Sequence, residues 1–146
     1  MKAVQEWNSG PCFDEKACQN SLAKFLRNRF PDSTFRPEYA VGEGRADIFV
    51  EFKTKLGPGA KVIIEIKYNL KDRNEYLRLL GQLQEYIFVS EAEVVVVLCG
   101  ETKGEWESRV RTHLEKLTQH RFFKRALVVS RAVTARGKSG RFLAAG

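Results

Sequence analysis

The chain has 146 residues, of which 43% are hydrophobic and 29% charged, enough to enclose a hydrophobic core and too apolar for wholesale disorder. Twenty-five Lys and Arg against eighteen Asp and Glu give a net charge of +7, a balance that suits a polyanionic partner, nucleic acid foremost. Three cysteines without a C-x-x-C pair argue against a disulfide framework or a zinc site, and the longest apolar run, VVVVLC at 94–99, is too short to span a membrane.

The opening MKAVQEWNSG reads as loose and lacks the apolar run of a signal peptide, so a soluble, cytoplasmic protein is expected. At 14–30, Cys18, Leu22, Phe25, Leu26 and Phe30 fall at helical spacing, and Pro31 closes the helix. STFRPEYAV suggests a first strand, with Pro37 placing it at an edge or bulge. GEG turns the chain into a second strand at about 45–53, and KLGPG makes a hairpin-like turn into a third at 61–68. A second helix, DRNEYLRLLGQLQEYIF, carries Tyr76, Leu80, Leu83 and Ile87 on one stripe. EVVVVLCG is an all-apolar strand of the kind covered on both faces. EWESRVRTHLEKLTQH gives a third helix with Trp106, Val110, Leu114 and Leu117 inward, and RALVVSRAV a last strand. The basic, glycine-rich tail at about 134–146 is expected to be mobile. The order α-β-β-β-α-β-α-β predicts a single domain over 1–146 of α/β class, a mixed sheet with helices on both faces.

Two of these strands carry charge where core is expected. Residues two apart share a face, so Val62, Ile64 and Ile66 line one side of the third strand and Ile63, Glu65 and Lys67 the other. In the second strand Ala46, Ile48, Val50 and Phe52 oppose Asp47, Phe49 and Glu51. One reading is a sheet with a wet face on which these charges are merely solvated. The other is chemical. Two carboxylates side by side on antiparallel strands offer hard oxygens to a divalent cation, and a lysine on the same face can serve an attacking water or a developing charge. Glu51, four residues past Asp47 and about 13 Å along the strand, is too far to share that ion.

Gly44-Arg45-Ala46-Asp47, a turn, and Glu65-Ile66-Lys67 together resemble the PD-(D/E)xK nuclease superfamily, the restriction-endonuclease-like fold. The element order is similar too: an αβββαβ core over about 14–100, here followed by a C-terminal helix and strand. Ala46 stands where the usual proline precedes the aspartate. The resemblance implies that Asp47 and Glu65 hold Mg2+ (Mn2+ as substitute) with the Ile66 carbonyl, and that Lys67 is the catalytic lysine. In the RecB-like and archaeal-resolvase-like branches a glutamine and then a tyrosine follow on the next helix, which matches Gln82 and Tyr86. Glu15 on the first helix and Glu38 on the first strand have counterparts as further acidic residues. On its own residues, Glu15 equally well serves the dipole of a helix capped by Asp14, and Glu38 could pair with Arg36 or Arg45.

His113 and His120 are explained by packing and capping, and the cysteines as small core or surface residues. RFFKR at 121–125, Arg45, Arg73, Arg78, and Arg136, Lys138 and Arg141 of RGKSGR are the candidate phosphate contacts. The expectation is a metal-dependent nuclease acting on DNA, with RNA open as substrate and a homodimer as one way to cut two strands. Its alternative is a nucleic-acid-binding module on the same fold that does not cleave.

Overall fold

The computed structural model describes residues 2–8, 12–54, 57–102, 104–119, 126–133 and 142–143. The N-terminal segment is not loose. Lys2–Glu6 form a short helix, α1, whose Val4 is buried together with the following Trp7. Trp7 Nε1 donates to Ser21 Oγ at 3.2 Å, and Glu6 pairs with Arg29 at 3.2 Å. Five residues are too few to show a helical period. What holds them is the burial of one large indole.

Helix α2, Glu15–Arg29, begins at Asp14, whose carboxylate accepts from the Ala17 amide at 2.7 Å. Glu15 in its first turn, and Arg27 and Arg29 in its last, complement the helix dipole. Its buried face carries Cys18, Gln19, Leu22, Ala23 and Leu26. Strands β1 (Thr34–Val41), β2 (Gly44–Thr54) and β3 (Gly57–Tyr68) form an antiparallel meander. The GPG segment belongs to β3 rather than to the turn, and Pro58, with no amide to give, lies past a register shift between Glu51 and Lys53. Helix α3, Arg73–Val89, is capped by Asp72 and leads to β4, Glu93–Cys99, which runs parallel to β3. Helix α4, Gly104–Gln119, leads to β5, Ala126–Val133, parallel to β4. The two-residue strand β6, Phe142–Leu143, lies within the basic tail and pairs antiparallel with β5.

The mixed sheet has its strands in chain order and separates two apolar layers. On one side α1 and α2 cover Ile48, Val50, Val62, Ile64, Ile66, Val95 and Val97. On the other α3 and α4 cover Phe49, Ile63, Val94, Val96 and Leu98. The β4 sequence is apolar throughout because both its faces are covered. Trp106, Val110 and Leu114 point inward from α4 as its spacing requires, with Leu117 half-buried. The α3 stripe is rotated from the one its sequence suggests: Leu79, Leu83, Tyr86 and Ile87 are buried, while Tyr76 and Leu80 are only partly so. The reason is Tyr86, whose hydroxyl has two acceptors waiting beneath it. Cys12, Cys18 and Cys99 all end buried in the core as thiols. Hydrogen bonding to Cys99 and burial push the Cys18 thiol far above its usual range, so it is no nucleophile. No helix among the described residues is long and apolar enough to cross a membrane.

Anchoring of residues 2–8 by Trp7 is testable. Trp7→Ala should cost about 3 kcal/mol, the usual toll of emptying a large aromatic site, read as a lowered urea midpoint. A dangling N-terminus would leave the midpoint where it was.

Candidate active site

The site grows from a split in the sheet. β2 and β3 pair from Ile48↔Ile64 down to Thr54↔Gly57. Beyond Ile48, β2 stays with β1 as far as Val41↔Gly44, and β3 stays with β4 as far as Tyr68↔Cys99. The same antiparallel register sets Asp47 opposite Glu65 at the head of the split. There a side chain takes over from the ladder: the Ile66 amide donates to Asp47 Oδ2 at 2.6 Å. Ala46 accordingly joins the apolar layer under α3, whereas Ile48 and Val50 lie in the layer under α2. Strict alternation would have kept all three on one face.

The helices secure the strand that has moved away. From α2, Gln19 Nε2 donates to the Asp47 carbonyl at 2.9 Å. From α3, on the other side of the sheet, the Tyr86 hydroxyl lies 2.7 Å from the Arg45 carbonyl and 3.0 Å from Glu65 Oε2. Two carbonyls of β2 thus find acceptable partners in side chains, as buried backbone oxygens must. Gln19 was not singled out by the sequence. The only signal there was an amide on the buried stripe of α2, one position after Cys18.

Glu65 is 2% exposed, and the Lys67 ammonium lies 3.5 Å from its Oε1 with a side chain 22% exposed. Burial pushes the Glu65 carboxyl up to about 8. The Asp47 charge adds to the rise, while Lys67 and the Tyr86 hydroxyl oppose it. Asp47 is raised to about 6, again by burial first, against the pull of the Ile66 amide. The charge of Glu15, half-buried in the first turn of α2, is felt by both carboxylates. Among the described residues no three His, Cys, Asp or Glu side chains form a metal-holding group. A cation here would therefore rest on Asp47, Glu65 and oxygens of other kinds.

Compared with known families, curated proteins and solved structures, the chain shows no match. Its site is read from its own atoms.

Glu38 lies on edge strand β1 directly across from Asp47, between the pairs Pro37↔Ile48 and Tyr39↔Ala46. Its backbone is left-handed, φ +50, and its exposed carboxylate is 3.6 Å from Lys16 and 3.9 Å from Arg45. Gln82 is half-buried one helical turn before Tyr86, and its Oε1 is buried without a partner. Glu51 is out of the site, paired with Lys61 across the strands at 3.9 Å. Arg45, Arg73 and Arg78 are exposed. Arg136, Lys138, Arg141 and the stretch 121–125 lie outside the described residues.

Two measurements probe this arrangement in the cation-free protein. A carboxyl whose folded pKa is raised binds more protons folded than unfolded, so stability falls as pH climbs. For Glu65 the window runs from 4.5 to about 8, and for Asp47 from 3.8 to about 6. In EDTA, Glu65→Gln should therefore be more stable than wild type at pH 8 by a few kcal/mol. The advantage should vanish near pH 4.5, as followed by urea denaturation. An advantage independent of pH would mean that Glu65 ionises freely. Separately, Gln19→Leu strips the Asp47 carbonyl of its donor inside the protein and should cost about 1–3 kcal/mol. Amide exchange at Ile66 should accelerate with it, because the same loss loosens Asp47. Unchanged exchange would show that Gln19 only fills space.

Proposed function

We propose that the chain is a Mg2+-dependent nuclease of the PD-(D/E)xK type that hydrolyses phosphodiester bonds in DNA, on a restriction-endonuclease-like core. The observation that carries this reading is the juxtaposition of Asp47, Glu65 and Lys67 at the split between β2 and β3. A wet sheet face would leave such charges exposed. Here the glutamate is almost wholly buried, with the lysine 3.5 Å away.

The donor set suits a divalent cation. Asp47 and Glu65 bring two hard carboxylates, and the Ile66 carbonyl, next in sequence to Glu65, and Gln82 Oε1, buried without a partner one helical turn before Tyr86, are candidate neutral oxygens. Bound there, Mg2+ supplies polarisation of a phosphoryl oxygen and a more acidic water. Lys67 does the rest of the electrostatic work: its ammonium can hold the attacking water and meet the charge that grows on the phosphate. Tyr86 fixes Glu65, so one of the two carboxylate oxygens is committed to the hydroxyl and Oε1 faces Lys67. Asp47 is fixed by the Ile66 amide through Oδ2. Glu15 and Glu38 add negative potential that attracts cations; Glu15 acts on both ligands and Glu38 on Asp47. The net charge of +7 supplies the long-range attraction for the polyanion.

The test is a cleavage assay over single strands, duplexes, flaps and junctions, with Mg2+, Mn2+ and EDTA in parallel. Asp47→Asn, Glu65→Gln and Lys67→Ala should each lower the cleavage rate by at least about a hundredfold, which is about 2.7 kcal/mol of transition-state stabilisation. All three should still bind DNA, and only Lys67→Ala should keep near-normal Mg2+ affinity. A wild type that takes up no divalent ion and cuts no DNA or RNA of any shape would hand the case to the non-catalytic binding module.

A further inference from the structure

A cleft of about 330 Å³ opens between α3 and α4, lined by Tyr76, Ser108, Arg109, Thr112, His113 and Lys116. Among the described residues its lining holds no carboxylate. Five of the six residues come from α4 at intervals of three and four, so they form one stripe along that helix. The acids of α4 lie elsewhere: Glu107, for instance, is engaged by Arg111 at 3.0 Å. Arg109 and Lys116 have no carboxylate partner among the described residues.

Arg109 is not a loose surface charge. Its guanidinium sits 4.8 Å above the Trp106 ring. That ring is fixed by its own N–H, donated to the Lys71 carbonyl at 2.8 Å, and by Tyr76 at 5.1 Å. A guanidinium held over an indole by its ring contact still has N–H donors to give to an anion. His113 has its Nε2 buried with no partner, and burial together with Lys116 lowers its pKa, so it enters as a neutral imidazole. Two hydroxyls, Ser108 and Thr112, complete a lining that offers donors and positive charge.

From this we infer that the α3–α4 cleft is a binding site for consecutive phosphates of a nucleic-acid strand, separate from the carboxylates of the β2–β3 split. Its length argues for a strand. Arg109 and Lys116 are seven residues apart, or about 10 Å along the helix, whereas one strand of DNA carries a charge every 3.4 Å or so of axis. A single phosphate would satisfy one end. Tyr76 adds an aromatic surface of the kind on which an unpaired base stacks. Tyr86, which holds Glu65, and Trp106, which supports Arg109, belong to one apolar layer, so the cleft lies on the α3–α4 side of the sheet. The inference rests on the nuclease reading for its purpose but not for its measurement.

The experiment is fluorescence anisotropy of a labelled single-stranded DNA 20-mer in EDTA, titrated against NaCl. Each phosphate contact on a single strand contributes about 0.7 to the log–log salt slope. Arg109→Gln with Lys116→Gln should flatten the slope by about 1.4, and Lys116→Gln alone, which leaves the Trp106 platform untouched, by about 0.7. Arg111→Gln, outside the cleft, should leave the slope as in wild type. Competition separates the sources of phosphate. Unlabelled oligonucleotide should displace the probe at phosphate concentrations where inorganic phosphate and a nucleoside triphosphate do not. Equal displacement by either small anion would overturn the assignment to a strand. An unchanged slope in the Lys116 and double variants, or an equal loss in Arg111→Gln, would remove the cleft altogether. Because EDTA suppresses cleavage, a protein that never cuts can pass this test, and one that cuts can fail it.

Discussion

A carboxylate held out of water beside a single ammonium is the constraint around which this structure is arranged. Removing an ionised carboxylate from water costs several kcal/mol, and one ion pair repays that only with good geometry and further hydrogen bonds. Glu65 has Lys67 at 3.5 Å and the Tyr86 hydroxyl at 3.0 Å, yet its pKa still rises to about 8. Desolvation therefore wins over attraction. The neighbourhood is not one that folding stability alone would select: replacing such a pair by apolar residues of similar volume is often neutral or stabilising. The split between β2 and β3 is the structural counterpart of that electrostatic cost.

The split is held open from both faces. Gln19 from α2 and Tyr86 from α3 each engage a carbonyl of β2, two residues apart at Asp47 and Arg45. The same tyrosine reaches Glu65, so β2, β3 and α3 are joined at one oxygen. A shift of α3 would displace Glu65 and the strand bearing Asp47 together and preserve their relation. The hydrogen bond from α2 reaches only the Asp47 carbonyl. The two clasps are therefore unequal: one maintains the pair, and the other sets where Asp47 sits within it.

The pair itself was legible in the sequence because strands have period two and a turn fixes which residues meet. Asp47, Glu65 and Lys67 follow from GRAD, EIK and the intervening hairpin, and the apolar run at β4 follows from its burial on both faces. The break in alternation at Ala46 was not legible, since periodicity assumes a ladder that continues. Gln19 was hidden for a related reason: a glutamine between apolar helix positions looks like any boundary residue until a released carbonyl is placed beneath it. The α3 stripe differs from its sequence expectation because Leu80 and Tyr86 lie about 120° apart around the helix and only one of them can turn fully inward, and hydrophobicity favours the leucine. Two buried acceptors decide for the tyrosine. Trp7 was misjudged because a five-residue helix has no period to detect.

Glu38 shows how packing can impose a conformation that ion pairs would not. Its left-handed backbone in the middle of β1 costs about 1–3 kcal/mol. The exposed pairs with Lys16 at 3.6 Å and Arg45 at 3.9 Å are each worth under about 1 kcal/mol, so they do not offset it. The neighbours on either side do. Pro37, with a fixed φ, is registered against Ile48, while Tyr39 stacks on Phe49 at 4.4 Å with Arg36 above its ring. With residues 37 and 39 both pinned, the rotation needed to follow β2 away from β3 falls on the residue between them. The consequence is electrostatic: a further carboxylate, beyond Glu65 and Glu15, is fixed where Asp47 feels it and is raised by it. The strain at the sheet's edge thus follows from the departure of β2 at Asp47, and through Glu38 it adds a small increment to a pKa that burial has already raised.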